Sequence, residues 1–189
     1  MKRLLIASVV GTIILYVYLA LSHTVLNMHY SDYKYTPAQD SITRMLSSYL
    51  NEDGVYMTPY FKPDATMDEV MHDMESRMGK PWAMINYHGS MENETMSYVM
   101  SFVYNFMSIL ILCIALAAAS VKLNSFAQRL WFVMLFALFV IFADTMMRYN
   151  WEGYSMQYLK GQISDVLIGY FVAGLWLAWY YGRLEKKTE

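Results

Sequence analysis

The sequence predicts a mainly α fold, a four-helix transmembrane bundle with a small extracytoplasmic α/β insert. Three observations lead there. The chain of 189 residues is 57% apolar and only 16% charged, where soluble domains carry about 25% charged residues. Its mean hydropathy is positive, at +0.24. And four stretches are long and apolar enough to cross a bilayer core of about 30 Å, which takes about 20 helical residues.

The first stretch, 4–26, reads LLIASVVGTIILYVYLALSHTVL and carries no acid or base except His23. Its basic start and the Ala20-Leu21-Ser22 motif also suit a cleaved signal peptide, but the apolar run is long for one, so an uncleaved anchor is expected. The second span is 97–121, the third 130–147 and the fourth 161–181. Residues 1–26 thus form an anchor helix, 27–96 an insert, and 97–189 a three-helix membrane region with a C-terminal tail.

Lysine and arginine placement sets the direction. Lys2 and Arg3, Lys122 and Arg129, and Arg183, Lys186 and Lys187 all fall on one side, where Glu185 and Glu189 are the acids. Residues 27–96 carry five basic and eleven acidic residues. Both termini are therefore expected in the cytoplasm, with 27–96 outside.

In the insert, Asp40 is expected to cap a helix whose Ile42, Met45, Leu46, Tyr49 and Leu50 share one face. Asp53-Gly54 signals a turn, and VYMTPYF a short strand. Thr66 and Glu69 form a capping box for a helix stopped by Gly79 and Pro81. WAMINYH, 82–88, reads as a second strand. Met67, Met71, Met74 and Met78 line one helix face. Met71, His72 and Met74 would suit a soft metal such as Cu(I). A methionine stripe reads first as an adaptable docking face, so no metal or cofactor is assigned.

Ionisable groups inside spans mark the candidate site. An acid at mid-bilayer costs about 3 kcal/mol, so it is expected to face the bundle or water. Counting from Arg129 and from Tyr181 puts Asp144 and Asp165 at similar depth, near the outer edge. Asn105, Asp144, Arg148, Asp165 and His23 are expected to converge on a polar pocket open to the outside. A local Asp144–Arg148 ion pair is the structural alternative. Asp165, Gly169 and Ala173 form a small-xxx-small face. Tyr149, Trp151, Tyr154 and Tyr158 read as one interfacial belt, and Trp176, Trp179, Tyr180 and Tyr181 as the other.

Several classes are excluded or unsupported. A net charge of −2 without a basic cluster gives no nucleic-acid partner. The single Cys113 permits no intramolecular disulfide. No CxxC, G-x-S-x-G, HExxH or phosphate loop occurs, and no catalytic residue is assigned.

The stretches LSHTVLNMH (21–29), DGVYMTP (53–59), GKPWAMI (79–85) and DVLIGYFVAGL (165–175) resemble a group of uncharacterised bacterial inner-membrane proteins of similar size. These share a first span, an external α/β insert and three further spans. The chain departs from them at His23 and Asn27, where Trp and Pro are expected. The resemblance implies the topology, singles out Asp165 and Gly169, and brings no activity. The function expected is an accessory, assembly or interaction subunit of the cytoplasmic membrane, partnered by lipid and by other membrane proteins or further copies of itself. A transport or sensing component using the polar pocket is the alternative, and a membrane enzyme using Asp144 and Asp165 as acid and base comes third.

Overall fold

The computed structural model describes residues 2–91, 93–119 and 122–185. In chain order the elements are α1 (Lys2–Thr24), α2 (Gln39–Tyr49), β1 (Gly54–Thr58), α3 (Met67–Arg77), β2 (Ala83–Tyr87), α4 (Thr95–Ala119), α5 (Phe126–Val140) and α6 (Met156–Glu185). They divide into two compact units, one holding residues 2–34 and 93–185, the other residues 35–91.

Four helices of the first unit are long and apolar enough to cross a membrane: α1, α4, α6 and the run Phe126–Glu152. The 23 residues of α1 span about 35 Å at 1.5 Å per residue. α5 starts from a capping box. Ser125 Oγ accepts from the Gln128 N–H at 3.2 Å, and Gln128 Oε1 accepts from the Ser125 N–H at 3.1 Å. It then continues through two π-helical turns, Ile141–Thr145 and Arg148–Glu152, and stops at Gly153, whose left-handed φ of 69° suits glycine.

α1 packs against both α4 and α6, and α6 also packs against α5. The buried residues of α1 are Ala7, Ser8, Gly11, Thr12, Leu15, Tyr18 and Ser22, and of these Ala7, Gly11, Leu15, Tyr18 and Ser22 run in a stripe spaced by three and four residues. It meets α6 closely. A Cβ added to Gly169 would lie 2.7 Å from Leu15 Cδ1, so glycine is what lets these helices approach. Ala7, Leu15, Ile109, Leu112, Cys113, Leu116, Val133, Ala173, Leu177 and Tyr181 form the apolar core. These come from the first two thirds of α1, the second half of α4, the middle of α5 and the second half of α6. The core therefore gathers at the end of the bundle where α1 begins.

Two residues expected at that end's surface lie inside. Arg129 belongs to α5 and is buried; its Nε donates to the Ala178 carbonyl at 3.0 Å and its Nη1 to the Leu123 carbonyl at 2.7 Å. A planar guanidinium can serve two carbonyls at once, which is why it can be drawn inside. Tyr181 is not part of an interfacial belt: it is 7% exposed and donates to the Cys113 carbonyl at 2.9 Å. Its ring fills the core and its hydroxyl finds a partner there.

In the second unit, β1 and β2 pair antiparallel from Gly54 opposite Tyr87 to Thr58 opposite Ala83. Asp53 Oδ1 accepts from the Gly89 N–H at 2.8 Å and closes the end of the ribbon. α3 begins with the expected capping box of Thr66 and Glu69. α2 differs from expectation. Its cap position is Ala38, with no side-chain cap, and Asp40 lies in the first turn. There the carboxylate favours the positive end of the helix dipole without closing an N–H. None of the described residues 35–91 is buried.

Candidate functional site

Polar side chains converge at the other end of the bundle, where α1 stops and α6 begins. The first contribution comes from the α1 stripe. Tyr18 and Ser22 lie one helical turn apart, so both reach α6 at the level of Asp165. The Ser22 hydroxyl donates to Asp165 Oδ1, and the Tyr18 hydroxyl approaches the same oxygen at 3.5 Å. Ser22 is fully buried and Asp165 is 6% exposed.

The second contribution comes from the turn after α1. Asn27 takes a left-handed φ of 52°, which asparagine tolerates better than most residues. The chain folds back there, with Tyr30 N–H donating to the Asn27 carbonyl at 3.3 Å and Asp32 N–H to the His29 carbonyl at 3.1 Å. This lays His29 over α6. Its Nε2 lies 3.0 Å from Asp165 Oδ2 and its Nδ1 lies 2.7 Å from Asp32 Oδ2. His23, in the last turn of α1, places Nε2 3.3 Å from the same Asp165 Oδ2. The two imidazoles stack with centroids 3.7 Å apart and planes 8° from parallel.

α6 is shaped to receive this turn. Gly161 sits one helical turn before Asp165, and a Cβ there would lie 2.8 Å from His29 Nδ1 and 3.1 Å from Asp32 Oδ1. Gly161, Asp165 and Gly169 thus form a face in which two glycines admit neighbouring chain on either side of one carboxyl group.

The electrostatics are lopsided. Asp165 is buried and Asp32 is half-buried as a residue, with side chains 8% and 3% exposed. Among the described residues no lysine or arginine pairs with either; the imidazoles of His23 and His29 are the basic groups that face them. Burial opposes a positive charge on His29, but the hydrogen bond to Asp32 and the charge of Asp165 outweigh it and hold its pKa above the ordinary value. Asp32 Oδ1 is buried with no hydrogen-bond partner, a costly state for a carboxylate oxygen.

The five residues expected to share a pocket divide between three places. Asp165 and His23 meet as described. Asp144 and Arg148 pair with each other, Nε to Oδ2 at 3.2 Å, with side chains about half exposed. The buried face of that helix is Ile141 and Thr145 instead. Asn105 on α4 donates to the Ser101 carbonyl of its own helix at 2.9 Å. Among the described residues no hydrogen bond or ion pair joins Asp144, Arg148 or Asn105 to Asp165, and an acid–base pairing of Asp144 with Asp165 has no contact behind it. In the second unit, His72 lines an open groove with Tyr60, Phe61, Asp68 and Asp73, a groove that neither Met71 nor Met74 lines.

Tyr18, Ser22, His29 and Asp32 were not singled out by sequence reasoning. A signal for the first two existed, since they continue the stripe of Ala7, Gly11 and Leu15 with polar groups. For His29 and Asp32 the signal was weaker, a His-x-x-Asp spacing just past a span.

The geometry defines a class, a helical bundle with four helices long and apolar enough to cross a membrane and, at one end, a histidine–carboxylate centre built on the buried Asp165. The chain matches no protein-family model, no curated protein and no solved structure.

Proposed function

We propose that this chain is an integral membrane protein that senses or passes a cation at the Asp165 centre. The observation that carries this reading is the composition of that centre. Two buried carboxyl groups converge with two imidazoles and no lysine or arginine. In their ordinary ionised form two such carboxylates demand positive charge, because a buried unpaired charge is expensive. Ionisable groups at membrane depth often line the route or the receptor of an ion. A merely structural tie between α1 and α6 would not need Asp32 behind His29.

The lysine and arginine distribution supports both termini in the cytoplasm and residues 27–96 outside. In that orientation the centre faces the extracytoplasmic side, and the cation arrives from there.

The experiment is thermal unfolding of the purified full-length protein in lipid nanodiscs against a cation panel of choline, alkylammonium, Mg2+, Ca2+ and Zn2+. A ligand that binds the folded state stabilises it by RT ln(1 + [L]/Kd). At least one cation is expected to raise the Tm of the wild type and to lose that effect in Asp165→Asn. A wild type indifferent to the whole panel sinks the reading.

A second reading, an assembly or interaction subunit, is favoured by residues 35–91. No described residue among them is buried, and α3 presents Met67, Met71 and Met74 exposed on one face, with Met78 exposed just past its end. Methionine suits an adaptable contact surface. Co-purification in mild detergent tests this, with a stoichiometric partner or a second copy as the expected result and a lone monomer as the opposing one.

A further inference from the structure

We infer that the cation is a divalent transition metal of the Zn2+ type, held by His23 Nε2, His29 Nε2 and Asp165 Oδ2. The inference rests on the cation reading above and names the ligand of that same centre. The three ligand atoms lie within 4.8 Å of one another. Oδ2 is 3.3 Å from one imidazole nitrogen and 3.0 Å from the other. A tetrahedral metal with bonds of about 2.0–2.1 Å separates its ligand atoms by about 3.3 Å. Parallel stacked rings cannot both hold one ion in their planes, so binding requires one imidazole to rotate, and His23, with its side chain 52% exposed, is the one with room to do so.

The surroundings are those of a metal centre. A ligating histidine commonly donates its other ring nitrogen to a carboxylate, which fixes the ring and raises its basicity. His29 does so through Nδ1 to Asp32 Oδ2, at 2.7 Å. Ser22 occupies Asp165 Oδ1 and leaves Oδ2 to the histidines. Asp32 Oδ1, buried and unpartnered, adds negative charge behind the ligands. With neutral imidazoles, one divalent ion balances the two carboxylates.

The donor set narrows the metal. Two imidazoles and one carboxylate suit Zn2+ and its neighbours and are too nitrogen-rich for Mg2+ or Ca2+. Three protein ligands leave a position open for water or an incoming group, unlike the closed four-ligand shell of structural zinc. His23 is the exposed member, with its side chain 52% accessible, and marks the side from which the ion enters.

The test is calorimetric titration of Zn2+ into full-length protein in nanodiscs with every affinity tag removed. The visible spectrum of the Co2+-loaded protein reports the ligands. One equivalent is expected to bind. Asp165→Asn should abolish binding, His23→Gln should weaken it, and Asp32→Asn should weaken it by about 10–100-fold, the usual effect of losing such a carboxylate. A wild type that binds Zn2+ no more tightly than His23→Gln overturns the inference, as does a folded Asp165→Asn that binds like the wild type. Should Asp165→Asn fail to assemble, His23→Gln decides, since its half-exposed side chain is the least needed for packing. If choline or Ca2+ raises the Tm through Asp165 while Zn2+ does not bind, the zinc inference falls and the cation reading stands. If nothing in the panel acts, both fall.

Discussion

Ser22 of α1 donates its hydroxyl to one carboxylate oxygen of Asp165 on α6, and this bond decides which oxygen is left for the histidines. Tyr18 approaches the same Oδ1 from below at 3.5 Å, while both imidazoles address Oδ2. One carboxyl group thus has a structural oxygen and a chemical one. Hydrogen bonds to a charged acceptor contribute about 1.5–3 kcal/mol. Ser22→Ala should therefore destabilise the bundle by about that much in thermal or denaturant unfolding. In an Asp165→Asn background the same change should cost measurably less, and an unchanged cost would show that the two residues act independently.

The two glycines flanking Asp165 should separate packing from chemistry. Gly169→Ala pushes a methyl group to 2.7 Å from Leu15 Cδ1, and overpacking of this kind costs about 1–3 kcal/mol. Its expected result is a lower Tm with Zn2+ affinity little altered. Gly161→Ala meets His29 and Asp32 instead, at 2.8 Å and 3.1 Å. It should weaken Zn2+ binding at least tenfold, on the scale of a lost supporting group, while alanine's better helix propensity offsets the damage to stability. Equal loss of both properties in both variants would contradict the division.

The pH dependence of the metal-free protein has a definite sign. His29 titrates higher folded than unfolded, because Asp32 and Asp165 favour its charged form against the opposing effect of burial. The folded state therefore binds more protons through this group, and stability falls as pH rises. The contribution is complete below the unfolded value of about 6.5 and disappears as pH passes the folded value. The stability difference between wild type and His29→Gln, measured with chelator present, should hold level well below pH 6.5 and shrink as pH rises past about 6.5. A difference that grows toward alkaline pH would reverse the assignment. The groups facing His29 are Asp32, Asp165 and the stacked His23.

Asp144→Asn should be nearly silent. Its partner Arg148 lies four residues on along the same helix and both side chains are about half exposed. Pairs of this kind contribute about 0.3–0.5 kcal/mol. Tm should move little, and the Zn2+ titration should match the wild type. A lost titration would bring Asp144 back into the centre.

These contrasts show what could be read from the chain alone. The four long apolar helices were legible because apolar length and the scarcity of charge show directly in the sequence. The face formed by Asp165, Gly169 and Ala173 was legible from helical spacing. Depth along each helix can be counted for Asp144 and Asp165, because each residue adds 1.5 Å along the axis. Azimuth was not. The helix after α5 passes into π-helical turns, and its buried positions are Ile141 and Thr145, one step away from Asp144. The His29–Asp32 contribution depends on a backward turn at a left-handed Asn27, and no periodic signal encodes where such a turn lands. Asp40 missed the cap of α2 because propensity names the residue type and not the turn at which the helix starts.

The distribution of the core has a mechanical consequence. Apolar packing gathers where α1 begins and α6 ends, and the polar cluster sits where α1 ends and α6 begins. One end of the bundle is a fulcrum and the other is a pair of jaws. An ion held at the proposed site would bridge the jaws directly, joining the last turn of α1 and the turn carrying His29 to α6 through Asp165.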